Sequence, residues 1–221
     1  MNYSHTLTKP VMTSGANLTF PPAFQTSREA LTNRIWFTRK ARIQAEKRLL
    51  QNDFHSQLMV QLFTAYILML SIYLLKFHAS GISDDAANVT LLVVSVLLFG
   101  LTPAVNSRNF RGRAETFKIV YVKLQLLLDN LANLDWANSI EEAQHAYAEV
   151  QQEYARIMAD GENHSEIDDA VARWGMHQSS RPLSGLETAN VLFYFGRRWG
   201  VWIAGYVIPP AFFVLYYLYR K

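Results

Sequence analysis

The chain has 221 residues, of which 50% are hydrophobic and 18% are charged, and its formal net charge is +3 at pH 7. Soluble domains carry about 25% charged residues. Here the charges fall in blocks that leave three long uncharged stretches, which excludes an ordinary water-soluble globular domain. The chain has no cysteine, which excludes a disulfide scaffold, a cysteine-based zinc site and a cysteine nucleophile.

The first segment, residues 1–26, is polar and contains Pro10, Pro21 and Pro22, which predicts a flexible tail. Residues 27–53 predict a basic helix that continues into the first uncharged stretch. Thr26 or Ser27 is expected to cap the start of this helix.

The three uncharged stretches predict membrane spans, because a bilayer core of about 30 Å takes roughly 20 helical residues. The spans are predicted at about 57–76, about 88–106 and, as a C-terminal transmembrane helix, 191–221. Pro209 and Pro210 are expected to kink or split the third helix. Residues 175–190 are predicted to form a linker.

Lysine and arginine counts orient the first two spans. Seven basic residues lie within 28–48 and five within 108–123, whereas the intervening loop has none and carries Asp84 and Asp85. This pattern predicts a cytoplasmic N-terminus and an external hairpin tip at residues 79–88. The basic residues at the two ends of the third stretch are equal in number, so they do not orient it. Aromatic residues at both ends favour a kinked spanning helix over a re-entrant or interfacial one.

The cytoplasmic segments are predicted to form helices at about 108–134, 139–159 and 165–174. The first has apolar residues at the three-and-four spacing of a coiled coil, so it is predicted to continue the hairpin as a helical stalk. The predicted oligomerisation seam comprises Phe117, Tyr121, Leu124, Leu128 and Leu131. The third helix is predicted to begin with a capping box formed by Ser165 and Asp168.

The segment from Asp129 to Asp169 is acidic, because it contains 11 aspartate and glutamate residues and one basic residue, Arg156. One explanation is solubility of this arm, and the other is an acidic docking face for a basic partner protein. Either explanation argues against direct nucleic-acid binding.

The spans also carry two stripes of uncharged polar residues, which are expected to face another helix or water. The stripes either form polar contacts between paired spans or line a pore that several hairpins assemble. The candidate pore-lining residues are Gln57, Gln61, Thr64 and Ser71 in the first span, and Asn88, Ser95 and Thr102 in the second.

No sequence motif indicates an enzyme, a metal site or a bound cofactor, since phosphate loops and metal-binding histidine pairs are missing from the sequence. The Asn163-His164-Ser165 run with Asp168 is explained by helix capping and interhelix hydrogen bonds. The alternative is that Asn163, His164 and Asp168 contact a signal nucleotide or a partner.

Three segments, in this order, resemble one known family: RKARIQAEKRL (39–49), RGRAETFKIVYVKLQLLLDNLANL (111–134) and EEAQHAYAEVQQEYARIMADGENHSEIDDA (141–170). Together they resemble the SLATT family, the SMODS- and SLOG-associating two-transmembrane effector domains, over roughly residues 27–219. The run from Tyr154 to Asp168, followed by a C-terminal span with prolines, is most similar to the fifth subfamily.

The resemblance implies a SLATT-like domain at 27–174 and an all-α integral membrane protein of the bacterial inner membrane. It implies a non-enzymatic effector of antiphage defence that forms homo-oligomers and permeabilises or depolarises the membrane. The partner implied is a nucleotidyltransferase or polymerase-type sensor, or its nucleotide product. Two alternatives remain open: a membrane scaffold that anchors a cytosolic enzyme, and a housekeeping channel or transporter subunit.

Overall fold

The computed structural model describes residues 20–76, 84–176 and 180–219, and every regular element in them is helical. The helices are α1 (Pro22–Lys76), α2 (Asp84–Asn106), α3 (Phe110–Asn133), a short 3-10 turn (Leu134–Trp136), α4 (Ile140–Asp160), α5 (Glu166–Trp174) and α6 (Gly185–Tyr219). The predicted all-α fold is confirmed for these residues. Predictions for the tail before residue 20, for residues 79–83 of the hairpin tip predicted at 79–88, for linker residues 177–179 and for residues 220–221 lie outside them, while residues 84–88 of the predicted tip belong to α2.

Helix α1 begins at Pro22, earlier than predicted, so residues 22–26 belong to the helix and not to the tail. The hydroxyls of Thr26 and Ser27 donate to the carbonyls of Pro22 and Ala23 at 3.0 and 2.9 Å. The prediction that either residue caps the helix is therefore wrong. Proline favours the first helical position because its fixed φ suits a helix and its missing N–H would have had no intrahelical partner there.

The described chain divides into two compact units. The three-helix unit contains residues up to Arg39 of α1, residues from Val122 of α3, the 3-10 turn and α4. Long-range hydrogen bonds help to hold it: the Arg28 guanidinium donates to the Asp135 carboxylate at 2.5 Å, the Tyr147 hydroxyl donates to the Ser27 carbonyl at 3.1 Å, and the Thr38 and Tyr154 hydroxyls lie 3.2 Å apart. Its core is formed by buried aliphatic side chains, among them Leu31, Ile35, Leu124, Leu127, Leu131, Val150 and Ile157.

The hairpin unit contains residues 40–121 and 162–219 of the described chain. Ala45 and Leu49 of α1 form a buried cluster with Ala114 and Phe117 of α3. The alanines let the two helices approach closely around the Phe117 ring. The fully buried Arg42 places its guanidinium carbon 5.9 Å from the centre of that ring.

A tight turn joins α2 to α3 in the hairpin unit. Asn109 has a φ of 43°, a left-handed conformation that asparagine tolerates better than most residues. Its side-chain oxygen accepts from the Gly112 N–H at 3.3 Å. A Cβ atom at Gly112 would lie 2.6 Å from the Asn109 side-chain amide, so a larger residue there would push this side chain out of its position in the turn.

Helix α6 begins at Gly185, so residues 185–190, predicted as linker, are helical. The helix runs through Pro209 and Pro210 without interruption, so these prolines do not split it. The kink stays a prediction.

Two helical stretches of the described chain are long and apolar enough to cross a membrane. One lies within Pro22–Leu75 and the other begins at Asn88, and each contains an 18-residue window of mean hydropathy 2.0 in which no residue is buried. Large apolar side chains on them are open to the surroundings: Leu75 is 86% exposed and Phe99 is 82% exposed. Such surfaces suit lipid. Insertion of the third predicted span, in α6, stays a prediction.

Candidate functional site

The bend between α4 and α5 is attached to α1 by a buried ion pair. Arg48 of α1 donates from Nε to Oδ1 of Asp168 at 2.7 Å and from Nη2 to Oδ2 at 2.9 Å. The Asp168 side chain is 1% exposed and that of Arg48 is 20% exposed. A two-bond arginine–carboxylate pair of this kind fixes orientation as well as distance.

Asp168 also holds the start of its own helix. Its Oδ2 atom accepts from the Ser165 backbone N–H at 3.1 Å and from the Ser165 hydroxyl at 2.6 Å. The predicted capping box is confirmed. Because four hydrogen bonds converge on this buried carboxylate, Asp168 is a structural anchor of α5 and is not open to a ligand or partner in this conformation.

The other two residues of the predicted contact differ from Asp168. Asn163 is exposed and His164 is half-buried, and the His164 Nδ1 atom is buried without a hydrogen-bond partner among the described residues. Burial and the nearby Arg42 charge lower the pKa of His164, while Asp169 and Asp168 oppose the shift. His164 is therefore neutral at pH 7. Whether Asn163 and His164 contact a signal nucleotide stays a prediction.

A second ion pair, more exposed, lies beside this bend. The Arg113 guanidinium of α3 donates to the Glu162 carboxylate, and both side chains are 39% exposed. The hydrogen bond from Arg113 lowers the pKa of Glu162. Exposed pairs of this kind contribute about 0–1 kcal/mol, so the Arg48–Asp168 pair is the stronger attachment.

The start of α6 contains a capping box that the sequence analysis missed. The Ser184 hydroxyl accepts from the Glu187 N–H at 3.2 Å, and the Glu187 carboxylate accepts from the Ser184 N–H at 2.8 Å. Arg173 of α5 also donates to Glu187 at 2.5 Å. The bond from Arg173, followed by those from Ser184, lowers the pKa of Glu187 to about 2. The Ser-x-x-Glu spacing was a readable signal for this helix start.

Helix α6 packs on α1 where the first span begins. The His55 ring stacks on Trp202 with centroids 3.7 Å apart, and its Nδ1 atom lies 2.8 Å from the Tyr206 hydroxyl. A Cβ atom at Gly205 would lie 2.6 Å from Cε of Met59, so the backbone of α6 reaches the side chains of α1 there.

The same cluster includes an arginine between aromatic rings. The Arg198 guanidinium carbon lies 4.7 Å from the Trp202 ring centre and 5.8 Å from that of Tyr194, whose hydroxyl accepts a hydrogen bond from Arg198. Arginine and tryptophan at this level are typical of a helix that enters a membrane interface.

The predicted polar stripes lie on the surface of the spans. Gln57, Gln61 and Thr64 on α1 are exposed, as are Asn88 and Ser95 on α2, while Ser71 and Thr102 are half-buried. The hydroxyls of the stripes donate to carbonyls four residues earlier in their own helices. No hydrogen bond described for the stripe residues crosses to another helix. Within the described residues, these side chains therefore form no hydrogen bonds between the two spans of one chain.

The predicted oligomerisation seam lies inside the chain. Phe117, Leu124 and Leu131 are 1%, 0% and 1% exposed, and Tyr121 and Leu128 are half-buried. The seam is consequently not free to bind a second copy, and this prediction is corrected. The three-and-four spacing was a correct signal of a buried helical face, but such a pattern does not say which helix covers it.

Among the described residues no group of three or more histidine, aspartate and glutamate side chains is arranged to hold a metal ion. The described site consists of ion pairs and caps that fix helices, together with uncharged polar groups on lipid-compatible surfaces. These features define an all-helical protein with two helices of membrane-spanning length and composition.

The profile of the SMODS and SLOG-associating 2TM effector domain family 5 matches residues 24–218. The chain belongs to this family, and the resemblance drawn from its sequence is confirmed. No curated protein and no solved structure matches the chain.

Proposed function

We propose that this protein is a non-enzymatic membrane effector of a bacterial antiphage defence system. In this proposal, several copies assemble in the inner membrane and permeabilise or depolarise it, which halts growth. The family description names an effector domain, and the described surfaces give a physical route to permeation.

The observation that carries the proposal is the outward position of the polar stripes. Gln57, Gln61 and Thr64 are exposed on a helix whose neighbouring side chains are apolar and also exposed, such as Leu68 at 61%. Polar side chains in a lipid-embedded helix face protein or water in preference to lipid. Assembly of several hairpins would remove these stripes from lipid and place them against one another or around a water-filled lumen. An uncharged lining suits a pore of low ion selectivity.

We also propose that α6 crosses the membrane in the same direction as the first span. The His55 ring stacks on Trp202, and Met59, four residues further along α1, meets Gly205, three residues further along α6. The two helices therefore run parallel. Since α1 is proposed to enter from the cytoplasm, α6 would enter beside it and end outside.

The trigger in this proposal is a nucleotidyltransferase or polymerase-type sensor, or a nucleotide that it makes. The family description supports it, because it names association with SMODS and SLOG components. Coexpression with a candidate sensor and its trigger should produce loss of membrane potential only when all components are present.

The pore proposal is tested by ion flux from liposomes. The triple variant Gln57→Leu, Gln61→Leu and Ser95→Leu should insert and assemble like the wild type but conduct far less, because an apolar lumen loses its water. Thr90→Leu is the matched control, since Thr90 is an exposed hydroxyl on α2 outside the stripe. Equal flux per assembled oligomer from the triple variant and the wild type would contradict the pore lining.

The orientation proposal is tested with single cysteines, which the cysteine-free chain allows without background. Cysteines placed at Ser83, Ser139 and Lys221 are exposed to a membrane-impermeant reagent on intact spheroplasts. Ser83 and Lys221 positions should react and Ser139 should not. If the Lys221 position stays unlabelled while Ser83 reacts, the third segment does not cross in the proposed direction.

A further inference from the structure

The three-helix unit contains an open groove that the proposed function does not use. The groove has a volume of about 380 Å³ and lies between the end of α3, the 3-10 turn and α4. Its floor includes Leu127, Leu134 and Val150, each 4% exposed. Trp136 stands at one side and is 74% exposed, although it lines the groove. A large aromatic side chain this exposed beside an apolar floor is typical of a binding surface.

The rim of the groove that α4 forms is acidic. Glu142, Glu149 and Glu153 of α4 all line it, and their spacing of seven and four places them along one edge of the helix. This edge is about 16 Å long at 1.5 Å per residue, or three helical turns. A row of carboxylates about three helical turns long therefore lines the groove.

Two of these three carboxylates, Glu149 and Glu153, have only weak ion-pair partners within the chain. Glu149 faces His145 at 3.5 Å and Glu153 faces Arg156 at 3.4 Å, and both pairs are exposed. Exposed pairs at such distances contribute little. Glu142 differs, because it accepts from the Asn138 backbone N–H at 2.8 Å and so holds the start of α4.

We propose that this groove binds a basic amphipathic helix of a cytosolic partner protein. The apolar floor would take aliphatic side chains, and lysine or arginine at four- and seven-residue spacing would face the acidic rim. The Trp136 ring offers a face for a further cation. This is the helix-in-groove mode of peptide recognition. Nucleic acids and anionic lipid surfaces carry the same sign of charge as the rim and are repelled by it.

A second copy of this chain is a poorer occupant. The chain does present an exposed basic and apolar stripe of its own on α3, at Lys118, Ile119 and Val122. However, the groove lies against α3 at Leu127 and beyond, about 12 Å further along that helix from Ile119. Copies anchored in one membrane share a common depth, so this offset works against a fit between neighbours.

The test uses the full-length protein in nanodiscs of uncharged phosphatidylcholine, with empty nanodiscs as background. The probe is a fluorescent 18-residue helical peptide with lysines at four- and seven-residue spacing and leucines on the adjoining face. A peptide with glutamate in place of each lysine is its control. We expect the basic peptide to bind, the acidic peptide to bind at least tenfold more weakly, and the affinity to fall as salt rises.

Two charge-matched variants separate the groove from general electrostatics. Glu149→Gln with Glu153→Gln should weaken basic-peptide binding at least tenfold. Glu141→Gln with Asp160→Asn changes the charge of the same helix equally but lies outside the groove lining, and should change the affinity less than twofold.

Trp136→Ala should also weaken binding several-fold, with the helical circular dichroism signal unchanged. Equal losses in the two charge-matched variants, or no binding of the basic peptide at low salt, would overturn the proposal. If the Glu149–Glu153 variant instead loses its own oligomers in mass photometry and binds the peptide normally, the groove belongs to a second copy and the proposal is wrong. Liposome flux does not enter this test, so its outcome is independent of the pore proposal.

Discussion

Removing the charge of Asp168 should release α5 from α1. Breaking a buried ion pair by changing one partner costs about 3–5 kcal/mol, because the remaining charge is left without compensation. Arg48 retains 20% exposure, and water can therefore reach part of its guanidinium. We accordingly expect Asp168→Asn to destabilise the attachment of α5 by about 3 kcal/mol, at the lower end of this range.

The assay is amide hydrogen exchange in detergent, followed on peptides that cover Glu166–Trp174. A loss of about 3 kcal/mol corresponds to roughly 100-fold faster exchange where local opening limits the rate. Glu162→Gln is the matched control, because it removes a carboxylate from the neighbouring exposed pair with Arg113 and should cost about 0–1 kcal/mol. Equal acceleration by the two variants would refute the reasoning that burial makes the Arg48–Asp168 pair the main attachment.

Three further predictions concern single positions. Burial and Arg42 lower the pKa of His164 in the folded protein. The unfolded state therefore protonates His164 first as pH falls below about 6.5, and the folded state loses stability there. His164→Gln should reduce the drop in melting temperature between about pH 7 and 5.5. Ser184→Ala should cost about 1 kcal/mol and accelerate exchange in the first turn of α6, whereas Ser184→Asp should preserve the cap. Gly205→Val should cost about 1–3 kcal/mol in thermal unfolding by crowding Met59, and Met59→Ala in the same chain should restore part of the loss.

Local signals in the sequence predicted the helices well. Blocks of charge marked the limits of the apolar stretches, and the helix that starts after Ser165 was readable because a capping box is formed by residues three apart. Helix α1 starts earlier than predicted because Pro22 lies in its first turn, where proline is well suited to a helix. The linker predicted at 175–190 overlaps the start of α6 at Gly185, although the Ser184–Glu187 spacing is itself a signal for a helix start.

Partners distant in sequence could not be predicted in the same way. Arg48 and Asp168 are 120 residues apart, and nothing in the spacing of either segment identifies the other. The same limitation explains the seam on α3. A repeat of apolar residues predicts that Leu124 and Leu131 are buried. Which helix buries them depends on how the chain folds back on itself.

Because the α3 seam is buried within the chain, contacts between copies would have to form elsewhere. Since Phe117 and Leu124 are already covered within the chain, a second copy has to use surfaces that one chain leaves open. On the spans, those surfaces combine apolar side chains that lipid can cover with the polar stripe at Gln57 and Gln61, which lipid covers poorly. A lone hairpin in a bilayer therefore leaves part of its surface badly solvated, and pairing of stripes between copies would remove this cost without unpacking either chain. Under the proposed function, the tendency to assemble would therefore lie in the spans, and the helices outside them would receive the signal that starts it.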